Sequence, residues 1–365
     1  MRKTYRYRIY PSKSQITMLE TSLELCRWVY NETLAMRKTS WDDNQETISL
    51  YSTNKELTQW KKDKPELKQV HSQVLQNVQV RVDLAFKAFF RRVKNGDKPG
   101  YPRFKGKGRY GSFTYPQFGF DIIDRRTIQF SKIGRVKAKI HRPVEGSVKT
   151  ATIRRYPTGK WYVCYSVEVD KTPVSSMNEN AVGIDVGLEK FAVLSDSSYI
   201  PNPRWFRQEE KNLAKAQRNM SKTKKGTDDW LRSLKVVHRI HERIFNRRND
   251  FIHKVSRDLV DRYSVIVFED LNVKEMVQNH HLTKSISDVA WRKLMDATKN
   301  KAEWAGSKVV FVDPAYTSQM CSRCGTIVKK ELKDRIHECD CCNLKMDRDL
   351  NASINILRLG LQSLG

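Results

Sequence analysis

Three acidic residues stand at positions where a carboxylate is costly unless it has a partner. Asp185 lies within an apolar stretch, Glu269 ends a second apolar stretch, and Asp349 stands at the predicted start of the last helix. A carboxylate in or at the end of a buried strand needs an ion or a hydrogen-bond partner. Two Mg²⁺ ions about 4 Å apart need several oxygen ligands and stabilise both the attacking and the leaving oxygen of phosphodiester hydrolysis. The three acids therefore predict phosphodiester cleavage with two Mg²⁺ ions.

Each acid also has an ordinary structural interpretation. Asp185 alone fits a turn at a strand end, Glu269 the start of a solvated loop, and Asp349 a helix N-cap. Asp347 competes with Asp349, which we prefer because it directly precedes Leu350 at the apparent helix start. The order Asp, Glu, Asp, on the elements that an RNase H-like sheet would provide, favours one joint site over three unrelated structural residues.

Four cysteines form two C-x-x-C pairs with 14 residues between them, namely Cys321, Cys324, Cys339 and Cys342. This spacing is typical of a zinc ribbon, because each pair gives two thiolates to one tetrahedral ion. We predict one structural Zn²⁺, since four protein ligands leave no open coordination position. Cys341 could replace Cys342 as the fourth ligand, although the x-x spacing favours Cys342. His337 is a weaker candidate for a zinc ligand and is interpreted as a surface residue.

The charge balance predicts the class of partner. The chain of 365 residues has 68 Lys and Arg against 41 Asp and Glu, a formal net charge of +27. A polyanion fits this excess, because each phosphate contact releases condensed counterions. An anionic membrane surface fits less well, since the cations are spread along the whole chain instead of one amphipathic helix. No stretch is apolar enough to span a membrane or to direct export, so we expect a cytoplasmic protein without a membrane partner.

The first half of the chain alternates between two periodicities. Period-two patterns predict strands with one buried face at residues 3–10, 136–141, 151–156 and 161–169. From about 14 to 95 the pattern is helical, with an apolar stripe at Leu75, Val78, Val82, Ala85, Phe86 and Phe89. An N-terminal β unit is therefore predicted to be interrupted by a helical insertion. Residues 170–180 resemble a linker in composition.

The second half begins with two apolar stretches joined by a glycine-containing turn, at residues 181–187 and 191–194. A polar, basic helical region is predicted at about 205–260. The continuous apolar run 264–269 is typical of a fully buried parallel strand. A helix at about 285–304, a strand at 308–313, the cysteine module and a last helix from near Asp349 follow.

A basic loop at residues 95–111 combines cations with aromatic side chains, which suits phosphate contact and base stacking. The candidate nucleic-acid contacts in it are Lys98, Tyr101, Arg103, Lys105, Lys107 and Arg109. A flexible solvated loop is the alternative interpretation. Arginines at near-helical spacing are equally compatible with a solvated helix face; they are Arg239, Arg243, Arg247 and Arg248.

Over essentially its whole length the sequence resembles the TnpB family, transposon-encoded relatives of type V CRISPR effectors. The N-terminal half carries KTYRYRIYP at 3–11, CRWVYN at 26–31 and GYPRFK at 100–105. The C-terminal half carries GIDVG at 183–187, FEDL at 268–271, TSQMCSRCG at 317–325 and DRDLNA at 347–352. These motifs are highly specific in combination.

The resemblance implies a multidomain fold of mixed α/β and α+β class. It implies a wedge β-barrel, a helical recognition domain inserted into it, a RuvC-like (RNase H-like) nuclease domain and a zinc ribbon inserted into that domain. On this chain we expect the barrel at 1–13 and 96–172, the helical insertion at 14–95, the nuclease domain at 181–316 and 346–365, and the zinc ribbon at 317–345.

The resemblance also implies an activity, namely Mg²⁺-dependent cleavage of double-stranded DNA directed by a guide RNA from the transposon end. The three acids match the family's catalytic positions, whereas the second cysteine pair reads Cys-Asp-Cys-Cys and leaves the fourth zinc ligand open. A short target-adjacent motif would be read near one helix, whose polar residues are Ser72, Gln73, Gln76 and Asn77. Such amides can read adenine edges, and a solvated helix face is the alternative. We expect one protein per RNA.

Three other functions stay open at this point. The chain could be a compact type V effector that uses a CRISPR-derived guide, or an RNA-guided DNA-binding regulator that does not cut. A transposase of the RNase H-like type, which joins strands itself, is disfavoured for two reasons. The acids run Asp, Glu, Asp instead of Asp, Asp, Glu, and a zinc ribbon precedes the last one.

Overall fold

The structure is a computed structural model that describes residues 1–170, 180–271, 290–331 and 334–365. The chain divides into a first unit, residues 1–170, and a second unit, residues 171–365. Most of the predicted linker and the start of the predicted helix at 285–304 lie outside the described residues. No helix in the described ranges combines the length and apolar character needed to cross a membrane.

Helices fill the chain between the first two strands of the first unit. The strand β1 spans Arg2–Tyr10, and after it come α1 at Lys13–Asn44, α2 at Leu50–Asp63, a 3₁₀ turn at Pro65–Gln69 and α3 at Ser72–Lys94. The Ser12 side chain accepts from the Gln15 amide while the Gln15 side chain accepts from the Ser12 amide, so a capping box starts α1. The predicted stripe is buried in the first half of α3 and half-buried from Ala85 to Phe89.

Seven antiparallel strands form the β part of the first unit. After β1 come β2 at Ser112–Tyr115, β3 at Phe120–Ile122, β4 at Thr127–Phe130, β5 at Gly134–Lys139, β6 at Ser147–Arg155 and β7 at Trp161–Glu168. Their order is β2-β6-β7-β1-β5-β4-β3. Tyr115 of one edge strand packs against Phe120 of the other edge and against Phe130. The sheet therefore curls into a nearly closed barrel, as predicted.

The alternation of β1 explains its central place in this sheet. Tyr5, Tyr7 and Ile9 are at most 2% exposed, and the arginines between them face outwards. β1 pairs with β7 in the register Tyr5 to Tyr165, so that the apolar faces of both strands point into one core. The predicted half-buried strands are confirmed.

A second sheet lies at the centre of the second unit. Its strands among the described residues are β8 at Ala181–Val186, β9 at Lys190–Leu194, β10 at Tyr199–Pro201, β11 at Val265–Glu269 and β12 at Lys308–Val312. Their order is β10-β9-β8-β11-β12, with β8, β11 and β12 parallel and the other two antiparallel. The predicted buried parallel strand at 264–269 is confirmed as β11, an apolar interior strand between β8 and β12.

Helices and a small hairpin complete the described part of this unit. They are α4 at Trp205–Ser221, α5 at Asp228–Arg262, α6 at Trp291–Ala305, the hairpin strands β13 at Ile336–Cys339 and β14 at Leu344–Asp347, and α7 at Arg348–Gln362. Two glycines let α7 lie directly on the sheet. A Cβ at Gly183 in β8 would be 2.1 Å from the Ser353 carbonyl oxygen, and one at Gly360 would be 2.4 Å from the Val267 methyl groups. Only glycine permits this approach, which fixes α7 against β8 and β11.

Candidate active site

Two of the predicted acids lie on neighbouring parallel strands. Asp185 is near the carboxyl end of β8, and Glu269 ends β11. Ile184 pairs with Phe268 in the ladder, so the residues that follow them stand side by side at the same edge of the sheet. Adjacent strands are about 4.8 Å apart, which places these two carboxylates in one neighbourhood.

The position of the third acid, Asp349, is fixed by the N-cap of α7. The Asp347 side chain accepts from the amides of Asp349, at 2.9 Å, and Leu350, at 3.1 Å, so Asp347 is the N-cap. Lys190 donates to Asp347 at 2.9 Å; although burial raises the pKa of Asp347, this bond holds it below its ordinary value. The N-cap interpretation therefore applies to Asp347. Asp349 is the second residue of the helix, and its side chain is 19% exposed.

The charges of the three acids meet at Asp185. Burial raises the pKa of Asp185 well above its ordinary value, and the carboxylates of Glu269 and Asp349 raise it further. The guanidinium of Arg348 opposes this, and it also lies 3.4 Å from an Asp349 oxygen. An acid whose pKa is raised by burial and by neighbouring carboxylates is costly to ionise, and a bound cation would offset that cost.

Glu269 is buried and has a defined partner. Glu269 is only 8% exposed, and the Thr317 hydroxyl donates to its Oε1. Burial raises the pKa of Glu269, and the bond from Thr317 partly opposes that rise. The alternative interpretation of Glu269 as the start of a solvated loop is therefore wrong.

The last helix holds Thr317 in place through two buried asparagines. Asn355 Nδ2 donates to the carbonyl oxygens of Thr317, at 2.9 Å, and Met320, at 2.6 Å. Asn351 Nδ2 donates to the same Met320 oxygen at 2.8 Å, and its Oδ1 accepts from the Ser322 amide at 2.9 Å. This clamp ties the partner of Glu269 to the segment that begins the cysteine module. No sequence pattern predicted these roles, although Thr317 opens one family motif and Asn351 lies in another.

We expect Thr317→Val to raise the Mg²⁺ concentration needed for half-maximal DNA cleavage by about tenfold, the scale typical of an outer-shell metal contact. Valine keeps the shape but removes the hydroxyl donor. The pKa of Glu269 would then rise further, so the acid limb of the pH–rate profile should move to higher pH. Thr317→Ser keeps the hydroxyl and should restore both properties; an unchanged Mg²⁺ requirement in the valine variant would contradict the role.

The four predicted zinc cysteines converge in the cysteine module. All their sulfur atoms lie within 4.8 Å of one another, with Cys321 to Cys342 at 3.5 Å and Cys324 to Cys339 at 3.6 Å. A tetrahedral ion with bonds of about 2.3 Å holds its sulfurs roughly 3.8 Å apart, so the cluster fits Zn²⁺. Hydrogen bonding by Thr326 lowers the pKa of the Cys324 thiol to about 6, which favours the thiolate needed for a ligand.

The hairpin β13–β14 determines where Cys341 and His337 lie relative to the sulfur cluster. Cys341 is exposed and is not part of the cluster, whereas Cys342 is. His337 is fully buried, so its interpretation as a surface residue is wrong. Alternation along β13 puts His337 on the same inner face as Cys339, where its Nδ1 lies against the Lys330 ammonium group.

The acids and the cysteines differ in how tightly they are gathered. Of the histidine, cysteine and carboxylate groups in the described ranges, the cysteines alone are already at a spacing that would hold a metal ion. The three carboxylates share one electrostatic environment, but Glu269 bonds to Thr317 and Asp349 lies beside Arg348. These two contacts hold Glu269 and Asp349 where they are, and repulsion between ionised carboxylates opposes a closer approach that no cation compensates.

The candidate nucleic-acid contacts all lie in the first unit. Ser72 begins α3 and accepts from Lys61 at 3.0 Å, Gln73 accepts from the Phe118 amide at 3.4 Å, Gln76 is exposed and Asn77 is half-buried. Gln76 therefore presents its amide to solvent, as reading a base edge would require.

The basic loop between α3 and β2 has no regular secondary structure but is anchored. Asn31 bonds both the amide of Lys105, at 2.8 Å, and its carbonyl oxygen, at 3.1 Å, and the Lys105 ammonium lies over the Tyr30 ring. Tyr101 packs edge-on against Phe89. The remaining candidates of the loop are exposed, namely Lys98, Arg103, Lys107 and Arg109.

Part of the arginine row on α5 has an internal partner. Arg243 and Arg247 both pair with the buried carboxylate of Glu209, at 3.1 and 3.4 Å. Arg247 also lies over the Trp205 ring. Two guanidinium groups on one carboxylate leave net positive charge at this surface, and both arginines remain about half exposed.

Comparison with protein-family models matches most of the chain. A family described as "Probable transposase" matches residues 162–280, a "Cas12f1-like, TNB domain" matches 291–356, and a "Helix-turn-helix domain" matches 1–46. In the structure residues 1–46 hold β1 and α1, a strand and one long helix. The second of these models spans the four clustered cysteines.

Two relatives match nearly the whole chain. A "Putative RNA-guided DNA endonuclease" of Streptomyces pristinaespiralis is 33% identical over 99% of this chain and 90% of its own length. The "Putative RNA-guided DNA endonuclease InsQ" of Escherichia coli (strain K12) is 29% identical over 98% of this chain and 92% of its own. A solved Cas12f1–sgRNA–target DNA complex contains a similar fold, with a TM-score of 0.60, 12% identity and 98% of both chains covered. The chain belongs to the TnpB family.

Proposed function

We propose that the chain is an RNA-guided DNA endonuclease whose cutting site is Asp185, Glu269 and Asp349. The observation that carries the proposal is their arrangement: two acids end adjacent parallel strands and a third lies in the first turn of the helix packed on them. The relatives that match almost the whole chain have names that describe the same activity.

The residues present fit Mg²⁺. Three oxygen donors share one partly buried environment, in which burial and the carboxylates of Glu269 and Asp349 raise the pKa of Asp185, and hard oxygen ligands are what Mg²⁺ prefers. Two Mg²⁺ ions bound there would activate water as the nucleophile and neutralise the charge that develops on the phosphodiester oxygens. Asp185 and Glu269 are held by the sheet, and Thr317 orients Glu269. Asp349 is placed by the Asp347 cap.

The partners follow from charge and from the similar structures. An excess of 27 positive charges suits RNA and DNA backbones, which in guided systems are held through their phosphates while base pairing reads the sequence. The Cas12f1 chain of similar fold was solved with a guide RNA and target DNA. We propose a guide RNA transcribed from the transposon end, one protein per RNA, and a double-stranded DNA target beside a short motif.

Each part of the chain takes a role in this proposal. The barrel, 1–13 and 96–172, and the helices inserted at 14–95 would hold RNA and read the motif. The RuvC-like segments 181–316 and 346–365 would cut, and the zinc ribbon at 317–345 would contact the target nucleic acid. β1 pairs with strands that follow the helical insertion, and α7 packs on β8. These contacts support a barrel and a nuclease domain that are each built from two separate segments of the sequence.

The test is to purify the chain with the RNA that it retains and to sequence that RNA. A plasmid library that carries the matching target next to randomised bases is then incubated with the complex and Mg²⁺. Linear products at one flanking motif support the proposal. Binding without cutting would identify a regulator, strand-transfer products would identify a transposase, and retained RNA with CRISPR repeats would identify a type V effector.

We expect Gln76→Ala to relax the preferred flanking motif by about tenfold at one position, because a bidentate amide–adenine contact contributes about 1–3 kcal/mol of discrimination. General RNA binding should be unchanged, since this amide carries no charge. The randomised library measures the effect directly, and Gln59→Ala, on the exposed side of α2, is the matched control. An unchanged motif profile for Gln76→Ala would refute the contact.

A further inference from the structure

Five aromatic side chains line a cleft of about 270 Å³ in the first unit, namely Trp41, Phe86, Phe89, Phe90 and Tyr101. They come from the end of α1, the second half of α3 and the basic loop. Trp41 is 50% exposed, Phe90 59% and Tyr101 44%. Rings so exposed and gathered at one place mark a binding site more often than an ordinary surface.

A buried donor at this cleft lacks an acceptor. Arg37 lines the cleft, lies against the Phe86 ring and pairs with Asp83 at 2.9 Å, with only 9% of its side chain exposed. Within the described part of the chain, its buried Nε has no hydrogen-bond partner. A buried donor without an acceptor is costly, so a small shift of the Arg37 side chain toward an acceptor atom of a ligand in the cleft would be favourable.

The charge on the two sides of the cleft is unequal. At the end of α1 and just after it, Asp42, Asp43 and Glu46 outnumber Lys38, whereas Arg37 is paired with Asp83, and Glu46 is part of the lining. On the other side the stretch 87–109 contains nine Lys and Arg and one Asp. A phosphate is therefore repelled from the α1 wall and attracted to the α3 and loop side. The cleft itself suits an uncharged planar ring.

We propose that this cleft binds an unpaired nucleobase of the guide RNA, with the adjoining phosphates on the basic side. A nucleobase is planar, stacks on aromatic rings, and carries ring nitrogen or carbonyl acceptors for Arg37. The choice of RNA over DNA rests on the proposed function. The cleft belongs to the first unit and the candidate cutting carboxylates to the second unit, so the cleft need not hold the strand that is cut. The guide is the strand that must stay bound throughout cutting.

The test measures binding of short fluorescent oligouridine RNA and of the same ribose-phosphate strand without bases, in EDTA. Phe90→Leu keeps an apolar side chain at an exposed position but removes the ring. We expect it to weaken binding of the oligouridine by about tenfold and to leave the abasic strand unchanged. Tyr51→Leu, at a ring that is 69% exposed and lies outside the cleft lining, is the control and should change neither.

Three outcomes would overturn the proposal. Equal losses on both strands would show that the ring acts without stacking on a base. An equal loss on the matching deoxyuridine strand would remove the assignment to RNA. A wild-type dimer in light scattering that Phe90→Leu dissociates would make the cleft a contact between copies. No cleavage is measured, so failure here leaves the nuclease proposal standing, and an inactive nuclease would not affect this result.

Discussion

Asp185→Asn is expected to reduce guided DNA cleavage on the order of a thousandfold or more, while binding of the guide RNA is kept. Asparagine has nearly the same shape but supplies a neutral oxygen where Mg²⁺ needs a charged one. Cleavage of a matched linear target, followed over time at saturating Mg²⁺, measures the loss. Full activity in this variant would remove the central residue of the proposed site.

Asp185→Asn is expected to reduce cleavage but to increase the stability of the metal-free protein. Because burial and two neighbouring acids raise the pKa of Asp185, the folded state holds this proton more tightly than the unfolded state. The resulting stability is present at low pH and is lost as the pH rises through the raised pKa. At neutral pH in EDTA, Asp185→Asn should therefore melt at a higher temperature than the natural protein and gain less from added Mg²⁺.

Asp196→Asn is a matched control, for which the expected change in stability has the opposite sign. Asp196 lies in the β9–β10 turn, and although burial raises its pKa, bonds from Ser198 and Tyr263 hold that pKa below its ordinary value. Its stability is present at neutral pH and is lost as the pH falls through the lowered pKa. Asp196→Asn should melt at a lower temperature and still cut. Equal shifts in both variants would contradict the electrostatic account.

Cys342→Ser is expected to weaken zinc binding by about a hundredfold or more, since losing a ligand costs more than the ten- to hundredfold of an outer-shell partner. Cleavage should fall as well, because the segment beside Cys321 is clamped to Thr317 and through it to Glu269. Zinc content by mass spectrometry and competition with a coloured chelator measure the first effect.

Cys341→Ser is the control for this prediction, because Cys341 is exposed and outside the sulfur cluster. It should retain one zinc ion per chain and full cleavage. Zinc lost from Cys341→Ser but kept by Cys342→Ser would assign the fourth ligand to Cys341 instead. Zinc loss with unchanged cleavage would show that the clamp does not transmit the state of the ribbon to Glu269.

Local chemistry in the sequence was enough to predict most of the elements and the residue types of the site. Period-two alternation identified β1 and β7, the continuous apolar run identified β11, and the paired C-x-x-C spacing identified the sulfur cluster. Such patterns are readable because strand and helix geometry fixes which neighbours share a face. A pair of ligands with two residues between them is likewise a local property.

Contacts between distant segments were decided by the tertiary structure alone. The pairing of β8 with β11 brings Asp185 beside Glu269, and the close approach at Gly183 sets α7 on the sheet. The same packing made Asp347 the cap, buried His337 and aimed Thr317 at Glu269. The physical reason is that proximity across many residues depends on which faces pack and how closely the backbones approach, and a one-dimensional pattern does not contain that.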